Sequence, residues 1–515
     1  VRTSRGWWVL AGIVVGALGL AISDLTAALL HIRESPVVAV AEGVTALTPG
    51  AVAEWAIQTL GAYDKFALVV GILVILGVVF GSIGALARRQ WWWAGIGYGA
   101  LAAVGVVAVV TKPAATATDL LPVLVGLVVW WVAFALCAMW LRRWELVLAS
   151  EDPAHDPTHT RRGFFLLAGS MAAVTAIAGG LGRVAGQARR KAEESRRLLR
   201  LEQVTKPVPP AEVRVDVEGL PPWQTPAEDF YLIDTAFIKP TIDPADWEIR
   251  IHGRVKHELR LSFDDLVARE VTEDWITLNC VSNEIGGSLI GNAWWSGVRL
   301  AGLLGEAGPL EGADAVLQTS EDGWTCATPL AAMTDERNAM LAVAMNGEPL
   351  PIEHGFPVRT IVPGLYGYVS ACKWVVDLEV TSFDEVEAYW TEKGWAEQGP
   401  VKIASRIDVP LADSTVPSGT VVLAGTAWFQ HTGIDRVEVA VDGGPWTEAE
   451  LAAAPNVDTW VQWRAEVEVT EAGDHTARVR AIASDGEVQT GVVADVLPDG
   501  ATGWDEVGFT VDDAS

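Results

Sequence analysis

Apolar and polar positions divide the chain into two unlike parts. Four apolar stretches, near 7–30, 64–87, 91–111 and 119–141, are each about long enough to cross a hydrocarbon layer of roughly 30 Å as a helix. Tryptophans stand at their ends (Trp7, Trp8, Trp91, Trp92, Trp93, Trp140 and Trp144), as in the aromatic belts of membrane interfaces. Arg2 and Arg5, Arg88 and Arg89, and Arg142 and Arg143 fall at alternate ends. An excess of arginine on the cytoplasmic side then puts the N-terminus and those loops in the cytoplasm. Segment 31–62, with Pro36, Pro49, Gly50 and an amphipathic stretch, is expected outside, along the interface. Asp24, near the end of the first span, reads either as a functional intramembrane acid or as a residue at the water boundary.

A fifth run, at 164–182, is rich in Ala and Gly and follows Thr160-Arg161-Arg162-Gly163-Phe164-Phe165-Leu166. The pattern is similar to a twin-arginine export signal, although two arginines before an apolar run also serve as ordinary anchors. A domain that takes up a bulky cofactor in the cytoplasm has to cross the membrane folded, which favours the export reading. It leaves Arg183, Arg189, Arg190 and Lys191 outside, against the usual charge rule. No A-x-A pattern stands between Gly179 and Ala188, so the fifth span is expected to remain as an anchor. Residues 187–203 read as a charged helical connector, and Lys206-Pro207-Val208-Pro209-Pro210 as a stiff linker.

From about residue 211 the pattern changes to short strands and turns. Strand-like runs at Trp247–Gly253, Trp275–Cys280, Ala315–Thr319, Val358–Val362 and Trp374–Val380 alternate with short helices at Ser262–Arg269 and Leu300–Ala307. That is the signature of an α+β domain. After about 400 only strands are expected, at 419–428, 434–441, 460–468, 474–483 and 505–511, a spacing that suggests an immunoglobulin-like β-sandwich. The expected organisation is therefore a transmembrane helical bundle over 1–160, a fifth span and linker over 161–205, an α+β domain over 206–390 and a β-sandwich over 391–515.

Composition sharpens this division. A mean hydropathy of +0.27 suits a chain that is part lipid-embedded and part soluble. The net charge of -28 excludes nucleic acid as a partner, since that needs a basic face. The acidity lies mostly beyond residue 205, as expected of a soluble part facing outward. Cys137, Cys280, Cys326 and Cys372 form no C-x-x-C pair, so zinc, iron–sulfur and attached-haem sites have no support. Cys326 and Cys372 read as buried thiols, with a bridge between them as the alternative.

Candidate chemistry concentrates in Ile276-Thr277-Leu278-Asn279-Cys280-Val281-Ser282-Asn283-Glu284-Ile285-Gly286-Gly287, followed by Asn292, Trp294 and Trp295-Ser296-Gly297-Val298. A strand that ends in a cysteine and enters a Gly- and Asn-rich loop puts sulfur where backbone N–H groups can approach a ligand. A soft thiolate suits a transition metal, and one suffices if a cofactor supplies the other sulfurs. On the cysteine alone, an ordinary buried thiol is the competing reading.

The stretch from Phe230 to Thr381 resembles the molybdopterin domain of the sulfite-oxidase family. The motifs that carry the resemblance are Asp229-Phe230-Tyr231, Trp247–Gly253, Leu278-Asn279-Cys280-Val281-Ser282-Asn283, Gly297-Val298-Arg299-Leu300, Met345–Leu350, His354-Gly355-Phe356-Pro357-Val358-Arg359, Val362-Pro363-Gly364 and Lys373-Trp374. It implies that Cys280 ligates molybdenum beside the dithiolene sulfurs of one molybdopterin. Phe230 and Tyr231 would line the pterin, and Ser320 stands where the family places a polar pterin-binding residue. His354 and Arg359 would grip the phosphate end, where a guanidinium fork suits phosphate oxygens. The backbone at Ala371 and Cys372, with Lys373, would complete the cradle. Plain structural roles remain the alternative for His354 and Lys373. Between Gly367 and Lys373 the chain is one residue longer than the soluble members, which blurs the alignment of 369–372. The tail from Lys402 to Val511 resembles the family's immunoglobulin-like dimerisation domain and implies a homodimer.

The resemblance also shows what differs. The two substrate-binding arginines of sulfite oxidases fall here on Ile233 and Ile285, and their metal-proximal tyrosine on Trp324. An apolar, aromatic pocket suits a neutral S-oxide or N-oxide better than an anion, unless Arg299 or Arg337 folds into it. The expected function is oxygen-atom transfer to or from a small molecule, with electrons passing to a partner protein or to quinone. A single histidine, His31, in the first four spans argues against a bis-histidine haem. The rival reading is a cofactor-free, membrane-anchored binding or scaffold protein.

Overall fold

A computed structural model describes residues 3–30, 32, 36–49, 52, 55, 59, 64–111, 117–149, 157–184, 187–236 and 238–512. Two compact units emerge: residues 1–190 with 235–238, and residues 191–234 with 239–515.

The first unit is helical. Among the described residues, five of its helices are long and apolar enough to cross a membrane: Arg5–Leu29, Ala67–Ala87, Trp92–Val110, Thr118–Ala149 and Thr160–Gly179. Small residues let the first helix sit deep among the others. A Cβ on Gly12 would fall 2.2 Å from the Phe80 carbonyl oxygen, one on Gly16 2.2 Å from the Phe80 ring, and one on Gly19 2.1 Å from Trp130 Nε1. Such glycine stripes allow close helix packing where no hydrophobic drive separates helix from lipid. The polar ends of the buried aromatics are satisfied at the same place: Trp130 Nε1 donates to Gly16 O at 3.0 Å and Tyr98 Oη to Gly12 O at 3.2 Å.

One expectation changes here. The fourth apolar run does not end in a loop at Arg142 and Arg143. Its helix runs Leu121–Ala149, because buried Leu141 and Trp144 continue the apolar stripe beyond the expected end, and both arginines are exposed on it. The twin-arginine-like sequence lies in the helix Pro157–Val184, with the Arg161 guanidinium 5.8 Å from the Phe165 ring centre. The amphipathic part of segment 31–62 forms the helix Pro36–Leu47. Arg2, His31 and Gly50 lie outside the described residues, as do the side chains of Arg183, Arg189 and Arg190.

The second unit starts on the charged connector, helix Gln187–Leu198, whose Ala192 is fully buried. Beyond it come β1 (Glu248–Gly253), β2 (Leu259–Ser262), β3 (Val271–Asn279), β4 (Ile290–Arg299), β5 (Ala315–Ser320), β6 (Thr325–Pro329), β7 (Met340–Met345), β8 (Glu348–Pro349), β9 (Arg359–Ile361) and β10 (Val375–Thr381). One sheet has the order β2-β1-β10-β5-β6, with β1 and β10 parallel. The other is antiparallel in the order β3-β4-β7-β8, with β9 also paired to β7. The helix Phe263–Val267 is set by a capping box between Ser262 and Asp265. Leu300–Ala307 ends at Gly308 with φ 69°, a left-handed cap.

The remaining strands are β11 (Ala404–Val409), β12 (Ser414–Val416), β13 (Gly419–Trp428), β14 (Ile434–Val441), β15 (Thr447–Glu448), β16 (Glu450–Leu451), β17 (Val461–Val469), β18 (Gly473–Ala483) and β19 (Asp505–Val511). They make two sheets, β11-β13-β17-β16 and β12-β19-β18-β14-β15. Leu423 and Trp463 of the first share a core with Val439, Val479 and Phe509 of the second.

Candidate functional site

The site is built on the β3–β4–β7–β9 sheet. β3 ends at Asn279, and the chain then turns back to β4 through a closed loop. Cys280 N–H donates to Leu289 O at 2.9 Å, and Asn283 N–H to Cys280 O at 3.1 Å. The Asn283 side chain accepts from Leu289 N–H at 2.8 Å, and Gly286 turns the chain with φ 70°. The Cys280 thiol is thus held buried at the strand end. Asn279 Oδ1 beside it is buried without a hydrogen-bond partner.

Aromatic rings wall this end. Phe230 stacks on Tyr231, with ring centres 5.3 Å apart, and meets Trp295 and His354 edge to face at 5.8 and 5.7 Å. Gly291 makes room, since a Cβ there would stand 2.7 Å from the Phe230 ring. A Cβ on Gly367 would lie 3.5 Å from Tyr231 Oη and 3.7 Å from Asn279 O, which places that hydroxyl beside the end of β3. Burial pushes the Tyr231 hydroxyl upward in pKa, with Cys280 adding to the rise and Arg359 opposing it. Tyr366 is a second buried phenol near Cys280. Burial raises it to about 12, against a hydrogen bond from the Lys402 N–H.

The other end is cationic. Arg359 opens β9, opposite Ala342 of β7, and is buried. Its Nη1 donates to His354 O at 3.1 Å and its Nη2 to Ala371 O at 3.4 Å, while Nε has no partner. The guanidinium carbon lies 5.2 Å from the Trp295 ring centre. Burial lowers its pKa to about 10. Lys373 Nζ meets Asp234 Oδ2 at 3.0 Å, and Asp234 also pairs with Lys239. Burial brings Lys373 down to about 8, with Asp234 pulling up and Arg359 pushing down. His354 is held near 4 by burial, then by Lys373 and Arg359. Its Nε2 lies 2.9 Å from Ala227 O, so that nitrogen carries the proton and Nδ1 is bare in the neutral ring.

Two predicted contributors sit differently. The Ala371 and Cys372 N–H groups already donate inside the chain, to Gly367 O at 3.1 Å and Thr360 Oγ1 at 2.8 Å. Cys372 lies beside Cys326, and both are thiols, without a bridge. Ser320, at the end of β5, donates its N–H to Trp324 O at 2.9 Å and pairs with Val375, two residues beyond Lys373. Asp234 and Tyr366 were not singled out in the sequence, and Trp295 stood there only within the candidate stretch that follows Cys280.

Neither alternative arginine reaches inward. Arg299 is exposed and donates to Asp335 O and Glu336 O at 3.3 and 2.8 Å. Arg337 donates to Pro363 O at 2.7 Å and pairs with Asp335. A cavity of about 780 Å³ adjoins His354, but its walls include Glu228, Glu348 and Glu353 and not Cys280, Arg359 or Lys373.

The donor set fits a molybdopterin. A buried guanidinium with only carbonyl acceptors and one idle N–H is costly unless an anion completes it. Lys373 and Lys239 both pair with the Asp234 carboxylate, whereas the described acceptors of Arg359 are carbonyls, so a phosphate would complete the guanidinium. Cys280 offers a thiolate beside the same aromatic wall, with Tyr231 between it and Arg359 in electrostatic reach of both. In that arrangement Arg359 and Lys373 would hold the phosphate, Phe230 and Tyr231 would flank the pterin, and Cys280 would ligate the metal.

Comparison with known proteins gives the same direction. The oxidoreductase molybdopterin binding domain family matches residues 236–390. The chain is 34% identical over 180 residues to the uncharacterized oxidoreductase YuiH of Bacillus subtilis (strain 168), covering 35% of this chain and 87% of that protein. It is 32% identical over 257 residues to the mitochondrial sulfite oxidase of Rattus norvegicus, covering 41% of this chain and 46% of that one. The chain thus spans about half the length of the rat and mouse sulfite oxidases. Among solved structures, the sulfane dehydrogenase SoxCD from Paracoccus pantotrophus superposes with a TM-score of 0.47 at 24% identity, over 52% of this chain and 75% of that one.

Proposed function

The chain belongs to the sulfite-oxidase family of molybdopterin-binding oxidoreductases, and on that footing we propose that it is a membrane-anchored enzyme moving an oxygen atom to or from a small, neutral substrate such as an S-oxide or N-oxide. The observation that carries the reading is the buried Arg359 guanidinium, whose idle Nε–H and missing carboxylate ask for an anionic cofactor tail beside a strand-end thiol. A scaffold protein without cofactor has no use for that arrangement.

When bound, molybdopterin supplies the two-electron chemistry. The chain's own residues orient and insulate it. Phe230, Tyr231 and Trp295 exclude water from the thiol end, and Tyr231 Oη is kept protonated, able to donate a hydrogen bond there. Arg359 and Lys373 fix the far end. For the substrate, Ile233 and Ile285 stand where anion-binding arginines are expected, and Arg299 and Arg337 are engaged elsewhere. An anion would then meet no compensating charge for its lost hydration, a deficit of several kcal/mol.

Five apolar helices support insertion in the cell membrane. We place the second unit on the extracytoplasmic side, delivered folded through the Arg161-Arg162 signal. We read residues 391–515 as an immunoglobulin-like sandwich that supports a homodimer, with lipid around the first unit and electrons exchanged with a partner protein or quinone. Steady-state kinetics of molybdenum-loaded protein with an artificial electron carrier test the substrate class. Turnover of a neutral sulfoxide with poor, high-KM sulfite oxidation is expected. Tight, fast sulfite oxidation without sulfoxide turnover overturns it.

A further inference from the structure

The loop that carries Cys280 is not held by its own sheet alone. Arg406, on β11, reaches across and donates from Nη1 to Gly287 O at 2.8 Å. Its Nε stands 2.8 Å from Asp408 Oδ1, with both side chains only 10% exposed. Asp505, at the start of β19, accepts from Ile407 N–H at 2.8 Å and is buried against Gly286. A Cβ on Gly286 would stand 2.5 Å from Asp505 Oδ1, and one on Gly503 2.5 Å from Ile285 Cδ1. Residues Ile285 to Gly287 are therefore gripped from three points: Arg406 on β11, Asp505 on β19 and Gly503 just ahead of β19.

The grip reaches the thiol through short covalent and hydrogen-bonded paths. Gly287 packs on the Asn283 side chain, where a Cβ would lie 2.5 Å from Asn283 Oδ1. Asn283 in turn bonds Leu289 N–H through its side chain and Cys280 O through its N–H. Leu289 O closes the loop on Cys280 N–H. Moving Gly287 thus moves the frame in which the sulfur sits. Burying one guanidinium with two carboxylates is an expensive way to stabilise a fold, and burial pushes both carboxyls up in pKa. Such a cluster is better explained by fixing one geometry.

We propose that Arg406, backed by Asp408 and Asp505, is a positioning residue for the Cys280 thiolate, so that the C-terminal sheets set the geometry of the metal ligand. This rests on Cys280 being that ligand, and the test separates the two ideas by probing the loop with and without metal.

The experiment uses full-length protein in detergent. In the metal-free form, Arg406→Met is expected to speed amide exchange at Asn283, Gly287 and Leu289 roughly 10–100-fold, the usual effect of losing a buried charged hydrogen bond. In the molybdenum-loaded form it should split the Mo(V) resonance into more than one species. Arg406→Lys, which keeps the charge and a donor, should restore slow exchange and a single resonance. Gly286→Ala should disturb both readouts without removing a charge. Wild-type exchange and an unchanged resonance in folded Arg406→Met protein overturn the proposal. So does loss of folding in both Arg406→Met and Gly286→Ala, which would make the contact one of stability alone. Altered exchange with an unaltered resonance shows that the loop moves but the sulfur does not, and that also overturns it.

Discussion

Replacing Arg359 by Met separates cofactor binding from folding, because the two respond with different magnitudes. In the metal-free protein the guanidinium is a liability. Burial takes its pKa from 12.5 to about 10, a penalty on the order of 3 kcal/mol for the charged form. Against that stand hydrogen bonds to His354 O and Ala371 O, the second long at 3.4 Å. Bonds from charged donors contribute roughly 1.5–3 kcal/mol each when well formed. These nearly cancel, so R359M should change metal-free stability by no more than about 2 kcal/mol, a melting shift of a few degrees. With a phosphate in place the balance differs. Losing two charge-assisted bonds costs about 3–6 kcal/mol, or roughly 10²- to 10⁴-fold in cofactor affinity. Molybdenum and pterin content after purification, beside melting of the metal-free form, measures both. One molybdenum per chain retained through dialysis in R359M would refute the assignment of Arg359 to the phosphate. So would collapse of the metal-free variant.

Other outcomes follow from the same site. Lys373, near 8 when folded and 10.5 as a free side chain, makes the unfolded chain bind the extra proton between those values. Metal-free protein should therefore gain stability as pH rises from about 8 to 10, and Lys373→Met should flatten that slope in thermal melts. His354, near 4 against 6.5, acts at the acid side: stability should fall as pH drops from 6.5 towards 4, less so in His354→Gln. Cys280→Ser should fold yet lose activity and the Mo(V) signal of a thiolate-ligated centre, and wild-type turnover would remove Cys280 from the metal. Lys at both Arg161 and Arg162 should leave the second unit shielded from external protease in intact cells. Normal export would make those arginines simple anchors.

The strands that alternate were legible. Trp247–Gly253, Ala315–Thr319, Trp374–Val380 and the five C-terminal runs lie within about two residues of β1, β5, β10, β13, β14, β17, β18 and β19, while the two-residue β15 and β16 were not expected. β7 was not, because Met340-Leu-Ala-Val-Ala-Met345 is apolar throughout and buried on both faces, leaving no period to read. The site residues were legible where a motif carried them, as at Cys280, His354 and Arg359. What the motifs could not convey was which groups were already engaged. The Ala371 and Cys372 N–H groups are satisfied by Gly367 and Thr360, a matter of backbone path. Asp234 and Lys373 meet across 139 residues, and Arg406 and Gly287 across 119, separations at which neither pattern nor spacing informs.

Helix Gln187–Leu198 bears on how this protein can be handled at the bench. The Pro-rich segment 206–210 invites a cut there to obtain a soluble fragment. Yet Ala192 is buried with Phe230, Trp295 and Phe356, Leu199 packs on the same cluster, and Lys191 is salt-bridged to Asp243 at 2.9 Å. A fragment opening at residue 206 would expose the back of the aromatic wall to water and invite aggregation. One opening ahead of Gln187 carries its own cover, at the cost of only some twenty additional residues.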